Sequence, residues 1–590
     1  QRQMCIRDRS LSLTVPRVVI GEVGNGAGAI ELSSEFFRTG GFSDYSVSAV
    51  GEVGKAGPTM QVAAGTRVET GSESRRLDAT RAEPSWRLVL QPEGARRAGT
   101  VELHADGSYD AFTRLPVVRG DLVIGEGAKI RVEPSGYVRL VGDTVTVLGS
   151  VEALGGEISV RGARDSNVAF PDKAGEFSKP LPTVVFGSGA SLSVAGTRVL
   201  VPDAHGYRRG EVLSGGRLSV SGNIVAAAGS RFDASGANGE LDLAMASGGG
   251  FRGGDAFQSA LSRFVPTLVE SDGGTVTFNG SQMLLMDGTV RAVAGGLSAR
   301  GGTLNLASGH YFGVGVAANP TALDVTLEVS QTGGRVFGLA EGLAGAVMVD
   351  GSGIPLSTYA GVSVDRFAGG GMDVIRIDGT VSMVGDVVLN AGREIVLASG
   401  GVLYAEGRVQ VDAPHVALGT AFRAPFGISE DRTPFYQGTA PFRFEAKYGS
   451  GSLEVKGRLV DIGNLSLQGI GRVDVLAESG DVRGNGTFDM RGKLSVRAGQ
   501  VYPPTSTQFV IGVGDYETEG GMQPGTIEVL AGGVRSAPWS AGGELGLYAT
   551  KIVHRGVLVA PFGRITVGWD GVGVAPKNTL SGAAYGVTSV

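Results

Sequence analysis

Six aspartates, Asp242, Asp373, Asp378, Asp386, Asp461 and Asp474, sit beside short apolar triplets. Carboxylates so placed could line up on neighbouring strands. Paired carboxylates are the acid and base, or acid and nucleophile, of glycoside cleavage. The plainer reading makes them outward residues that keep strands soluble. The five histidines, His104, His205, His310, His415 and His554, are scattered, with no pair at i, i+4, so no zinc site is expected. GGFRGGDAF, residues 249–257, misses the spacing of a calcium-binding nonapeptide and reads as a loop. GNGAG at 24–28 is not a dinucleotide fingerprint, Gly54-Lys55-Ala56 lacks the hydroxyl of a phosphate loop, and no G-x-S-x-G elbow is present. The expectation is a chain with no catalytic residue, no metal and no cofactor, and not an enzyme. A polysaccharide lyase or hydrolase with carboxylates on one sheet is the alternative.

Two groups of residues suggest binding rather than catalysis. Arg119, Gly120 and Asp121 form an RGD tripeptide, which integrin-type receptors read on loop tips. Leu122-Val123-Ile124 follows it as a strand, so Gly120 is expected to mark a turn. The stretch 421–450 is dense in aromatics, among them Phe435, Tyr436, Phe442 and Phe444. These are candidates for contacting a partner; packed against a scaffold, they would instead make a private small core.

The scaffold that positions these residues is written in glycine. Of 590 residues, 99 are glycine, against an average usage of about 7%. No Gly-X-Y period is present, which excludes collagen. The hydrophobic fraction of 42% is too high for a disordered chain. A net charge of −6 and a pI near 5.6 exclude a nucleic-acid binder of the basic-stripe kind. The single cysteine, Cys5, permits no internal disulfide. It lies in QRQMCIRDR, which is similar to translated adapter sequence, so residues 1–9 are read as an assembly artefact and left out of the fold. No apolar run approaches the ~18–20 residues of a membrane-spanning helix.

The apolar triplets recur. Ile375-Arg376-Ile377 returns as Ile395-Val396-Leu397, Val381-Ser382-Met383 as Val402-Leu403-Tyr404, and Val387-Val388-Leu389 as Val409-Gln410-Val411. Leu453/Val455, Val473/Val475 and Leu494/Val496 continue the series, and Leu218-Ser219-Val220 aligns with Leu241-Asp242-Leu243. Each triplet alternates inward and outward side chains, the signature of a strand. Similarity returns at every third strand, not the next one, so equivalent strands stack in parallel one turn apart. The expectation is an all-β fold: a right-handed parallel β-helix with three short strands per turn of about 20–23 residues, carrying loop or subdomain insertions. A propeller would need a period of about 40–50 residues and four strands.

Units such as GGRLSVSGNIVAAAGSRFDASG, GGTLNLASG and GREIVLASGGVLYAEGRVQVDAP resemble the repeats of filamentous haemagglutinin-family exoproteins. GGFSDYSVSAVGEVGKAGPTMQVAAGTRV, residues 40–68, is similar to the segment that precedes a rod section in large members. The resemblance implies a structural rod segment of a large secreted bacterial adhesin, exported by two-partner secretion through an outer-membrane barrel transporter. It would stand outside the outer membrane, attached at the Gram-negative cell surface or secreted. Its partners would be glycans or proteins of host or neighbouring cells, with no nucleic acid and no membrane-spanning segment. A passive spacer of a contact-dependent inhibition protein is a further alternative. The family's NPNL- and NPNG-type motifs are absent, Asn319-Pro320-Thr321 being the nearest string, so the chain is read as an internal fragment. Residues 10–120 are expected as an irregular N-terminal β region and 121–420 as coil with insertions near 164–183 and 199–213. An aromatic-rich insertion is expected at 421–450, then continued coil over 451–590 with an insertion at 501–524.

Overall fold

The computed structural model describes residues 10–589, except 23–27, 39–41, 79–84, 113–115, 171–180, 245–263, 312–322, 334–359, 421–444 and the single residues 56, 72, 165 and 309. The described residues are strand and turn almost throughout, and their one α-helical segment, Ser166–Ala169, has four residues.

The chain winds as a parallel β-helix. Strand follows strand around three ladders, and successive ladder strands pair in parallel one turn apart, except that Thr289–Arg291 in the third ladder pairs, among the described strands, with Arg231–Asp233 alone. One turn runs through Tyr137–Gly142, Thr144–Val147 and Ser150–Glu152. In the next, Glu157–Arg161, Val184–Phe186 and Ser191–Ser193 lie in register beneath them. In the first ladder one inward position is occupied in succession by Val47, Leu103, Leu140, Val160, Val220, Phe278 and Leu306, all nearly or fully buried. Parallel sheets are stable when such apolar rows are shielded from water, and the three ladders shield one another here. At one end Phe37, fully buried, packs edge-on against Phe36 at 5.3 Å and at a tilt against Tyr45 at 5.2 Å.

The expected pairings of Ile375 with Ile395, Val387 with Val409, and Leu453 with Val473 and Leu494 are all present. Two differ. Val381 pairs with Leu403, one residue beyond Val402. Leu218 pairs with Val276 rather than with Leu241. Leu241 instead belongs to an antiparallel hairpin, Asn238–Ala244 with Phe264–Glu270, that leaves the coil. A full turn also begins earlier than read: Asp44–Ala49, Met60–Val62 and Arg67–Glu69 already occupy the three ladders within the 10–120 stretch. Within 501–524, Gln508–Gly514 is a ladder strand, and only the hairpin of Tyr516–Thr518 with Gly521–Gln523 projects.

Among the described residues the second ladder breaks chain order twice. At its start Val18–Ile20 lies between Ile30–Leu32 and Met60–Val62, and the second break lies in mid-coil. Leu284 pairs with Ala360, Ala360 with Leu327, and Leu327 with Val381. A strand that comes later in the chain is thus slotted before an earlier one, adding a rung. Further along, Val402 pairs directly with Ser466, while the first ladder passes from Glu394 through His415 to Leu459. The ladder therefore drops a rung there. Paired strands keep a spacing of about 4.8 Å, so ladders of one coil must climb equally between shared turns. The added and omitted rungs offset each other.

Glycines set the corner before the first ladder. An ideal Cβ on Gly156 would lie 2.0 Å from the Gly136 carbonyl oxygen. On Gly216 it would lie 1.9 Å from that of Gly156, and on Gly274 2.1 Å from that of Gly216. Any side chain here would push apart two turns whose backbones touch. Gly216→Ala is expected to destabilise by about 1–3 kcal/mol, the range of overpacked sites. Gly369, with nothing within 4 Å of an added Cβ, should accept alanine with no loss or a gain of about 0.4–1 kcal/mol. Urea melts of the two variants check this; equal midpoints would show that the corner yields.

Candidate functional site: the outward face of the first ladder

Insertions favour two corners of the coil. The segments that follow first-ladder strands include 106–120, 162–183, 309–326 and 419–446. Those that precede them include 70–99, 195–216 and 235–273. By contrast, only a few residues join second to third ladder on most turns, as from Val147 to Ser150 or Ala226 to Arg231. The outward face of the first ladder is therefore flanked at one edge by the described hairpin of Ser108–Tyr109 with Pro116–Val118, and at the other by those of Arg198–Val201 with Arg209–Val212 and Asn238–Ala244 with Phe264–Glu270, the place where solenoids carry their binding residues.

The face itself is polar and arranged in rows. Tyr137, Glu157, Arg217, Thr275 and Thr303 share one register position. Arg139, Ser159, Ser219, Thr277, Asn305 and Arg376 share the next. Short hydroxyl and amide side chains run along the middle, and the Asn305 amide donates to Thr277 Oγ1 at 3.0 Å. Beside them opens a groove of about 500 Å³, lined by Arg139, Arg161, Arg164, Ser159, Ser221 and Asn279. A shelf of about 580 Å³ over the glycine corner adjoins it through Tyr137. Among the described residues, Arg139, Arg161, Arg164 and Arg217 form no ion pair. A guanidinium offers five N–H donors and matches carboxylate or phosphate oxygens in bidentate fashion. The groove is chemically suited to an anionic ligand.

Farther along the same face the charges are paired. Arg376 Nη2 meets Glu394 Oε2 at 2.7 Å. Glu394 Oε1 lies 3.0 Å from His415 Nδ1, and His415 Nε2 lies 2.9 Å from Asp461 Oδ2. Arg483 donates to both oxygens of Asp461, at 2.7 Å each. Hydrogen bonding to Asp461 raises the His415 pKa above the ordinary imidazole value, outweighing its burial. Burial pushes Asp461 up, but the bonds from His415 and Arg483 prevail and hold its carboxyl below the usual range. Diagonally beside this row lies Asp481, 6% exposed, whose Oδ2 accepts from Ser536 Oγ at 2.9 Å and Gln500 Nε2 at 3.2 Å.

The aspartates read as candidates do not converge. Asp242 is held by Arg208, Asp373 accepts from the Gly301 N–H at 3.0 Å, Asp386 from the Arg408 N–H at 2.8 Å, and Asp474 from Arg472 Nε at 2.7 Å. Asp378 follows Ala307 in the first ladder. Asp242 shares Arg208 with Glu240 on the projecting hairpin, and Asp461 joins the charged row of the first ladder. Sequence reasoning missed the arginines of the groove, Glu394, Arg483 and Asp481. The signal for part of the row was the register itself: Glu394 and His415 are one short turn apart, as are Asp461 and Arg483.

The RGD residues are engaged with their own neighbours. Arg119 donates to Asp121 through Nε at 2.6 Å and Nη2 at 3.0 Å, and its guanidinium lies 4.6 Å from the Phe170 ring centroid. The Thr144 hydroxyl also donates to Asp121, and the Gly120 N–H donates to Asp143. The strand Asp121–Ile124 begins at the last residue of the tripeptide. Phe435, Tyr436, Phe442 and Phe444, together with Asn319-Pro320-Thr321, GGFRGGDAF and residues 1–9, lie outside the described residues. Tyr448, at the edge of that aromatic stretch, stacks on Tyr516 with centroids 4.4 Å apart.

No described group of three or more His, Cys, Asp or Glu could hold a metal ion. No described helix is long and apolar enough to cross a membrane. In comparisons with known proteins, no family model, no curated protein and no solved structure matches the chain.

Proposed function

We propose that the chain is a rod segment of a large bacterial adhesin that engages its partner through the outward face of the first ladder. The observation that carries this reading is the groove of Arg139, Arg161 and Arg164, which have no ion pair among the described residues, on a face flanked by insertions. A passive spacer has no need for unpaired arginines gathered in a groove. The partner is a glycan or protein on a host or neighbouring cell, and the rod stands on the bacterial surface or is secreted from it. Export through an outer-membrane barrel transporter follows from the same family resemblance. The lyase or hydrolase reading has less support, because the best placed carboxylate, Asp461, already receives two N–H bonds from Arg483 and contacts His415. A general acid or nucleophile must keep an oxygen for the substrate.

The test uses beads coated with the full chain and scored for attachment to cultured cells. Combined Arg139→Ala, Arg161→Ala and Arg217→Ala are expected to reduce attachment several-fold. Raising ionic strength should weaken the parent chain in the same direction, since exposed charges are screened. Arg231→Ala with Arg291→Ala, two arginines on the third ladder, should leave attachment intact. Equal losses in both variants, or none in the first, would overturn the reading.

A further inference from the structure

A second cavity on the same face, of about 310 Å³, is lined by Arg458, Ser479, Asp481, Tyr502, Ser536 and Trp539. Its volume is at the lower end of small-ligand pockets, about 300–1,000 Å³. Three of its features ask for a ligand. Asp481 is 6% exposed and lopsided: Oδ2 accepts from Gln500, Tyr502 and Ser536, while Oδ1 is buried with no hydrogen-bond partner among the described residues. A buried acceptor left without a donor costs about 1–3 kcal/mol, so a donor from a bound molecule would be well received there. Trp539 is 80% exposed, a large apolar ring on a hydrophilic face. The Tyr502 hydroxyl, at the base of the pocket, donates to Asp481 Oδ2. Arg458, exposed at the mouth, has no ion pair among the described residues.

We propose that this pocket binds a pyranose unit carrying a carboxylate, a uronic-acid-type sugar. On binding, the Asp481 carboxylate turns to bring Oδ1 to the cavity, where it accepts from a ring hydroxyl; the C–H face of the sugar lies on the indole of Trp539, and Arg458 takes the carboxylate. An ammonium ligand would suit the aspartate and the indole, but Arg458 and Arg483 oppose a cation. A purely apolar ligand would leave Asp481 unpaired. The inference rests on the reading of this face as the binding face of the rod, and gives it a ligand class.

Calorimetry with the full chain, a uronic-acid trisaccharide and its carboxyl-reduced neutral counterpart tests it. The acidic sugar is expected to bind at least tenfold more tightly than the neutral one. Arg458→Ala should erase that preference, and Trp539→Ala should weaken the acidic sugar at least tenfold. Both residues are exposed, so neither change threatens the fold. No saturable binding, a neutral sugar bound equally well, or either variant behaving as the parent would overturn the proposal. The bead assay separates the two readings: if sugar binding fails while attachment still depends on Arg139, Arg161 and Arg217, only the pocket proposal falls.

Discussion

Phe232→Ala is expected to cost about 3–5 kcal/mol, the range for deleting a buried aromatic side chain, and to open only part of the coil. Phe232 is 1% exposed, on the third-ladder strand Arg231–Asp233. Its ring meets Phe186 of the preceding turn edge-on, with centroids 5.1 Å apart, and Phe278 of the following turn at 4.9 Å. The three rings come from three different ladders and fill the interior where successive turns overlap. Each edge-to-face pair adds about 0.5–1.5 kcal/mol beyond the area it buries. Alanine removes both pairs and leaves a cavity that the surrounding sheets cannot close, because their backbones are fixed at the ladder spacing. In a stacked coil each turn is stabilised by its neighbours alone. Hydrogen exchange followed by mass spectrometry should therefore show protection lost at Val184–Phe186, Arg217–Ala226 and Thr275–Met286. It should remain at parent levels in Lys493–Tyr502, many turns away. Uniform loss along the chain would show that the coil unfolds as one unit and would contradict the local picture.

The coil was legible because a short turn writes its period directly into the chain. Ile375 and Ile395 are 20 residues apart and pair as read, since nothing but corner residues lies between them. Where an insertion intervenes, the period stretches and the signal is lost. His415 pairs with Leu459, across the segment 419–446, and Leu304 pairs with Ile375, across two insertions. The alignment of Leu218 with Leu241 failed for a different reason. Apolar-x-apolar alternation marks any strand with one buried face, and the hairpin of Asn238–Ala244 has one as surely as a ladder strand does. The slotting of Ala360 between Leu284 and Leu327 left no local trace, because a strand's own pattern does not name its neighbours. The candidate site was less legible than the fold. Asp461 was visible as an acid beside a strand, but its role depends on His415 and Arg483 arriving at adjacent positions from other turns. Trp539 sits in a segment with no repeat, and only the folded chain brings it to Asp481.

The Asp461 cluster gives the coil a stability optimum in mildly acidic solution. Asp461 is 3% exposed, so its charge is tolerable only while paired. Its folded pKa is depressed, chiefly by bonds from His415 and Arg483 that overcome the opposing effect of burial. Its contribution is therefore present above the unfolded carboxylate value of about 3.9, and is lost as pH falls through the folded value. His415 behaves in the opposite sense. Its folded pKa is raised, first by the bond to Asp461, so its contribution is complete below about 6.5, the unfolded value. That contribution fades as pH rises through the folded value. Both are fully present between about pH 4 and 6.5. Urea midpoints of the parent chain should fall on either side of this window. His415→Gln should remove the alkaline decline and leave the acid one. Arg483→Met is expected to be the severest change in the cluster, about 3–5 kcal/mol, because it strips a buried carboxylate of its bidentate partner. In that variant Asp461 relies on His415 alone, so stability should fall more steeply as the imidazole deprotonates. Adding Asp461→Leu to Arg483→Met removes the stranded charge and should restore much of the loss, since a well-packed apolar replacement of a buried ion pair is often neutral or stabilising. If the double variant were as unstable as Arg483→Met, the damage would come from lost packing of the arginine stem, and the charge argument would fail.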